Sequence, residues 1–185
     1  MNSKRIGLIP GSFKPYHAGH DALVRLASSE NDEVLVFAST ADRPRKGELS
    51  IQGDKMRIVM EKFVKPSLRL LGNVEVIYAD PPVTPVTMVF NTLNRAEKNY
   101  SYDVHTIYSD SEDISRFTPV NLRKQAPKLF DSGQIIRMGI KRGSKTPNVS
   151  GTDMRRFIAL NDVEMFSRML PKSIQDKCHE ILRIL

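Results

Sequence analysis

Lys4-Arg5-Ile6-Gly7-Leu8-Ile9-Pro10-Gly11-Ser12-Phe13-Lys14-Pro15-Tyr16-His17-Ala18-Gly19-His20 is a short apolar run, stopped by Pro10-Gly11, that leads into Ala22, Leu23, Leu26 and Ala27 at helical spacing. This order predicts a strand, a tight turn and a helix over about 18–29. Gly11 lets the backbone turn close beside an anion and Pro15 stiffens the approach. The helix start near Ala18 aims free amides and a positive dipole end at the same space. His17 and His20, three apart, share one face there and can donate hydrogen bonds to phosphate oxygens. The same spacing also suits a metal pair or a simple cap. With no third His or Cys nearby, the sequence gives little support to a metal site.

Working outward, the unit repeats. Glu33 to Ser39 reads as a second buried strand, followed by a basic loop from Thr40 to Leu49 and a helix over about 54–64. Asn73 to Ala79 reads as strand three, and a turn holding Pro81, Pro82 and Pro85 precedes a helix near 86–97. Asp103 to Ser109 and Gln134 to Ile140 read as strands four and five. A basic, Gly-containing loop then reaches an amphipathic helix opened by Ser150 or Thr152, with Met154, Phe157 and Ile158 inward, and Pro171 starts a last helix. Strands alternating with helices predict an α/β fold: a Rossmann-like parallel five-stranded sheet with helices on both faces, binding its ligands beyond the carboxyl ends of the strands. Residues 1–185 read as one domain with a C-terminal helical portion over about 150–185.

Composition narrows the class. At 40% hydrophobic and 26% charged, the chain is globular in make-up. Its apolar runs are far short of the roughly 20 residues a membrane helix needs, and the first residues lack an apolar stretch of signal-peptide length. One cysteine, Cys178, excludes an internal disulfide framework, so a cytoplasmic protein is expected. Twenty-eight Lys and Arg against 21 Asp and Glu leave a net charge of +7, which favours an anionic partner. Part of the excess is local. From 137 to 156 there are six basic residues, Arg137, Lys141, Arg142, Lys145, Arg155 and Arg156, against Asp153 alone. A nucleic-acid-binding module would use such a stretch, but no aromatic stacking platform accompanies it.

Gly-Ser-Phe-Lys-Pro-Tyr-His-Ala-Gly-His (11–20) resembles the G-x-F-x-P-x-H-x-G-H signature of the nucleotidyltransferase α/β phosphodiesterase superfamily, which includes cytidylyltransferases and nicotinamide mononucleotide adenylyltransferases. Val149-Ser150-Gly151-Thr152-Asp153-Met154-Arg155 resembles that family's I-S-x-T-x-x-[KR] motif, with Val for Ile, and the two motifs stand in the family's order. The motif style is most similar to the nicotinamide mononucleotide adenylyltransferases, although Ser12 replaces the Arg of the archaeal type and the chain has no Trp to stack on a nicotinamide ring.

The resemblance implies transfer of a nucleoside monophosphate from a nucleoside triphosphate, ATP favoured, to a small phosphorylated acceptor such as nicotinamide mononucleotide, with release of pyrophosphate. A CTP-dependent enzyme acting on glycerol phosphate, phosphocholine or a sugar phosphate is the alternative; a degenerate member that only senses nucleotide is another. His17, His20, Lys46 and Arg155 are the implied catalytic residues. Gly11, Ser12, Phe13, Gly19, Asp110, Ser150, Gly151 and Thr152 would bind the nucleotide, and Arg43, Arg45 and Arg57 the acceptor. Mg²⁺ is the implied cofactor, bridging phosphates rather than held by a protein cage. Neither nucleic acid nor membrane is expected as a partner, and a homo-oligomer is compatible with the sequence. An acceptor phosphate is already a nucleophile near neutral pH, so positioning and charge stabilisation suffice. A Ser-His-Asp set or a nucleophilic Cys is not required.

Overall fold

The computed structural model describes residues 3–42, 44, 46–99 and 101–185. These form β1 (Arg5–Gly11), β2 (Glu33–Ser39), β3 (Val74–Ala79), β4 (Val104–Asp110) and β5 (Ile135–Ile140), all parallel, in the order β3-β2-β1-β4-β5. Leu8 of β1 stands in register with Leu35 of β2 on one side and Ile107 of β4 on the other. Alternate side chains leave opposite faces of a strand. Ile6 and Leu8 therefore enter one core, with Phe37, Val89, Leu93 and Leu122, while Ile9 enters the other, with Val24, Val36, Met56 and Phe166. Covering both faces is what makes these strands read as near-continuous apolar runs.

One face carries α1 (Ala18–Glu30), α2 (Gly53–Val59), α3 (Lys65–Arg69), α7 (Gly151–Ala159), α8 (Val163–Met169) and α9 (Cys178–Ile184); the other carries α4 (Pro85–Asn99), α5 (Pro119–Gln125) and α6 (Pro127–Asp131). The helix expected over 54–64 runs on to Arg69 through a π turn at Met60–Val64, which keeps Met60, Phe63 and Val64 buried. Helices α5 and α6 occupy a segment the sequence reading left unassigned. Each begins with proline at its first turn, and Thr118 Oγ1 caps α5 by accepting from the Asn121 amide at 3.1 Å. The last helix, expected from Pro171, opens as a 3₁₀ turn at Lys172–Lys177 before α9.

Two positions fix the loops around the strand ends. A Cβ on Gly53 would lie 1.6 Å from the carbonyl oxygen of Thr40, so the start of α2 can approach the end of β2 only with glycine there. A Cβ on Gly11 would stand 2.5–2.9 Å from the folded-back ring of Phe13. No helix among the described residues is long and apolar enough to cross a membrane.

Candidate active site

Strand order reverses between β1 and β4, and a crevice opens at their carboxyl ends. The loop after β1 builds its floor. Phe13, at φ +49°, turns its ring back over Gly11 and meets the His20 ring edge-on at 4.8 Å between centroids. His17 is the N-cap of α1: its Nδ1 accepts from the amides of Gly19 at 3.1 Å and His20 at 3.4 Å. His20 closes the box, its Nδ1 accepting from the His17 amide at 3.3 Å, and the two rings stack at 3.6 Å.

This reciprocal cap settles the tautomer. An Nδ1 that accepts carries no proton, so the neutral ring holds its hydrogen on Nε2 and is a donor there. Burial lowers the His17 pKa from 6.5 to about 3, with the Arg142 charge adding to the effect. Burial likewise pushes His20 well below the usual range, with His17 and Arg142 contributing. The pair stays uncharged at neutral pH. Of the uses open to two histidines at this spacing, the cap is realised, and it leaves their Nε2–H groups as the donors.

The second motif lies across the crevice. Ser150 caps α7: its hydroxyl accepts from the Asp153 amide at 3.1 Å, while the Asp153 carboxylate stands 2.6 Å from that hydroxyl and 3.0 Å from the Ser150 amide. The Ser150 hydrogen bonds hold the Asp153 carboxyl below its ordinary range. Arg155, one turn on and 9% exposed, donates from Nη1 to the Lys14 carbonyl at 2.7 Å and from Nη2 to Thr152 Oγ1 at 3.0 Å. Its Nε donates to Glu48 Oε2 at 2.8 Å, and Nη2 reaches the same carboxylate.

Two adjoining cavities result. The first, about 370 Å³, is bounded by His17, His20, Asp110, Arg142, Ser150 and Thr152. The second, about 280 Å³, lies toward β2 and is bounded by Ser39, Leu49, Ile51, Thr84, Val86 and Arg116. Gly11, Ser12, Lys14, Asp113 and Arg155 line both. The starts of α1 and α7 stand at the first cavity, whose wall is thereby suited to an anion.

No protein-family model matches the chain. A stretch of 59 residues is 39% identical to phosphopantetheine adenylyltransferase of Kocuria rhizophila, covering 32% of this chain and 36% of that protein, so the chain matches only about a third of this curated relative. Among solved structures, Plasmodium falciparum nicotinic acid mononucleotide adenylyltransferase, complexed with NaAD, superposes with a TM-score of 0.57 at 15% identity over 94% of this chain and 93% of that one. A Vibrio parahaemolyticus protein assigned as a nicotinate-nucleotide adenylyltransferase gives 0.54 at 16%, over 97% and 92%. Thermotoga maritima TmcAL, bound with α-thio ATP, gives 0.54 at 15%, over 97% of this chain and 55% of that one. The chain shares the Rossmann-like α/β fold of these structures.

Within this fold, most of the expected nucleotide-site residues converge. Gly11, Ser12, Phe13, His17, Gly19, His20, Asp110, Ser150, Gly151, Thr152 and Arg155 all line the first cavity. Asp110 is held there by Arg142, whose Nε donates at 2.7 Å. Two other expected residues stand apart from them. Lys46 is exposed on a turn and lines neither cavity, because the chain folds outward at Lys46 and Gly47 before returning at Glu48. Arg57 lies outside both cavities as well: it pairs with Asp80 at 3.4 Å and covers the Tyr78 ring at 4.5 Å. Arg43 and Arg45 lie outside the described residues.

Two residues that the sequence reading did not assign stand beside these: Lys14, which lines both cavities, and Glu48, which pairs with Arg155. Lys14 was quoted only as a variable position of the first motif, though its neighbours on both sides were assigned. Glu48 meets Arg155 across 107 residues, and no local pattern announces that contact.

Proposed function

We propose that the chain is an ATP-dependent nucleotidyltransferase that moves AMP onto the phosphate of a small acceptor such as nicotinamide mononucleotide. The observation that carries this reading is the pair of cavities meeting at the loop after β1, one walled by two helix N-termini and two neutral histidines. The first cavity would take ATP with its phosphates toward Ser150 and Thr152, and the second the acceptor. A non-bridging oxygen of the acceptor phosphate attacks the α-phosphorus. The bond from that phosphorus to the β-bridging oxygen breaks, and its electron pair leaves on pyrophosphate. The Nε2–H groups of His17 and His20 donate to the phosphate oxygens on which charge grows. No proton must be removed from the nucleophile, which accords with histidines held neutral but not placed as bases.

ATP rather than CTP is supported by the Ser-Gly-Thr-x-x-Arg-Arg form of the second motif and by the adenylyltransferases among the similar proteins. Mg²⁺ fits as a companion of the triphosphate: among the described residues no group of three or more His, Cys, Asp or Glu could hold a metal ion, and Mg²⁺ keeps phosphate and water ligands readily. Bound there, it would spread phosphate charge.

A pyrophosphate-release screen of ATP and CTP against nicotinamide mononucleotide, phosphopantetheine, glycerol phosphate, phosphocholine, sugar phosphates and flavin mononucleotide tests the reading. The expected result is turnover with ATP and one acceptor, and a rise in melting temperature with ATP that AMP does not match. Turnover at least about tenfold better with CTP would replace the adenylyl assignment, and no turnover with any pair would overturn the reading.

A further inference from the structure

We infer that Arg142, held in place by Asp110, is a further cation for the nucleotide's polyphosphate, and that Asp110 acts through it rather than on the nucleotide itself. This inference rests on the nucleotidyl-transfer reading. Arg142 belongs to neither motif, and in the sequence it stands out only as one of the basic residues over 137–156.

Asp110 ends β4 and Arg142 follows β5, so the parallel pairing of these two strands brings both to one edge of the sheet. Each carboxylate oxygen of Asp110 is engaged: Oδ1 accepts from the Glu112 amide at 2.9 Å and Oδ2 from Arg142 Nε at 2.7 Å. A carboxylate bound at both oxygens serves here to fix the plane of a guanidinium. The backbone beneath that guanidinium is set as well. Arg142 bridges Thr146, and Gly143, at φ +75°, donates its amide to the Thr146 carbonyl at 2.8 Å.

The anchor takes Nε and leaves both Nη groups, which have no hydrogen-bond partner among the described residues, on a side chain that lines the first cavity. Arg155, in the same cavity, is bonded to Glu48, Thr152 and the Lys14 carbonyl. A phosphate oxygen must displace a partner to reach Arg155, but none to reach the Nη pair of Arg142. The Arg142 charge also helps to lower the pKa values of His17, His20 and Asp153, so it stands close to the capped starts of both α1 and α7. A fork of N–H donors there would meet the oxygens on which pyrophosphate charge grows.

The test is a calorimetric titration of inorganic pyrophosphate, AMP and ATP into wild type, Arg142→Met, Arg142→Lys, Asp110→Asn and the Arg142→Met/Asp110→Asn double variant. The Arg142 side chain is 44% exposed, so its replacement should leave the melting temperature near that of wild type. Arg142→Met should weaken pyrophosphate binding roughly tenfold or more and AMP binding less than about twofold. Arg142→Lys, which keeps the charge but not the fork, should weaken pyrophosphate about threefold. Asp110→Asn should also cost about threefold in wild type, but nothing in Arg142→Met, where no guanidinium remains to be oriented. Pyrophosphate binding that is unchanged in Arg142→Met, or not measurable in wild type, would overturn the role of Arg142, as would an equal loss for AMP. A loss from Asp110→Asn that persists beside Arg142→Met would return Asp110 to direct contact with the nucleotide. If Arg142→Met does not fold, Arg142→Lys carries the comparison of pyrophosphate with AMP. Wild type that binds pyrophosphate through Arg142 but does not bind ATP would remove the nucleotidyl-transfer reading alone.

Discussion

Glu48 and Arg155 are 107 residues apart in sequence, yet Arg155, which lines both cavities, donates from Nε to Glu48 Oε2 at 2.8 Å. A carboxylate therefore occupies a guanidinium beside Thr152, where the proposed function would place a phosphate oxygen. The two anions compete for one cation.

Glu48→Gln should consequently act in opposite directions with and without ligand. Removing the carboxylate leaves Arg155 largely buried with less charge compensation, at a cost of about 1–3 kcal/mol because the pair is partly open to solvent. Pyrophosphate should then stabilise the variant more than wild type, since it no longer displaces a carboxylate. Thermal melts with and without pyrophosphate measure both effects; an unchanged ligand-induced shift would show that Glu48 does not stand in the anion's place.

The two roles of His17 can be separated by one substitution. Asparagine is a strong N-cap residue but lacks an Nε2–H at the imidazole's reach. His17→Asn should keep a near-normal melting temperature yet lower kcat by about a hundredfold, as loss of an oxyanion-type donor does. His20→Ala should lower kcat similarly. Normal turnover with only a raised KM would assign these groups to ground-state binding instead.

Acid should destabilise the protein through its histidines. His17 titrates near 3 in the fold against 6.5 ordinarily, so between those values the unfolded chain binds more protons and stability is lost as pH falls from about 6.5 toward 3. His105, fully buried on β4, is lowered by burial too, and neither ring nitrogen finds a hydrogen-bond partner among the described residues. His105→Leu should add about 1 kcal/mol at pH 7 and flatten the acid loss, read as urea midpoints between pH 7 and pH 4. A midpoint that does not fall with pH in wild type would contradict the neutral assignment.

Gly53→Ala should be severe although the residue lines neither cavity. A methyl 1.6 Å from the Thr40 carbonyl oxygen forces α2 away from β2, and a loss of about 3 kcal/mol or more is expected, seen as a lowered melting temperature. Tolerance of alanine would mean that this loop shifts at little cost.

Much of the architecture was legible because it is local. Glu33–Ser39 was read to the residue, and the start of α1 at Ala18 followed from the change in hydrophobic period. The segment 113–131 was not read, although Thr118-Pro119 is a helix-start signal and Pro127 another; each helix there is only a turn or two long, too short for periodicity to emerge. The site was legible where motif residues are consecutive, at 11–20 and 149–155. It was not legible where lining a cavity depends on how far a loop folds back: Lys46 and Arg57 lie outside both cavities, while Lys14 lines both and Thr84 and Arg116 wall the second.

The common wall between the cavities has a bearing on how a catalytic cycle would end. On the proposed reaction two molecules would enter separately, and once pyrophosphate has left, the joined product would be gripped at both halves. When either half detaches, the other keeps it close enough to rebind before escape, so a product of this kind dwells longer than either substrate. Departure of the joined product would then set the pace, and its accumulation would slow turnover without any separate regulatory site. In a progress curve this appears as an early burst followed by slowing, with a product inhibition constant below the KM of either substrate.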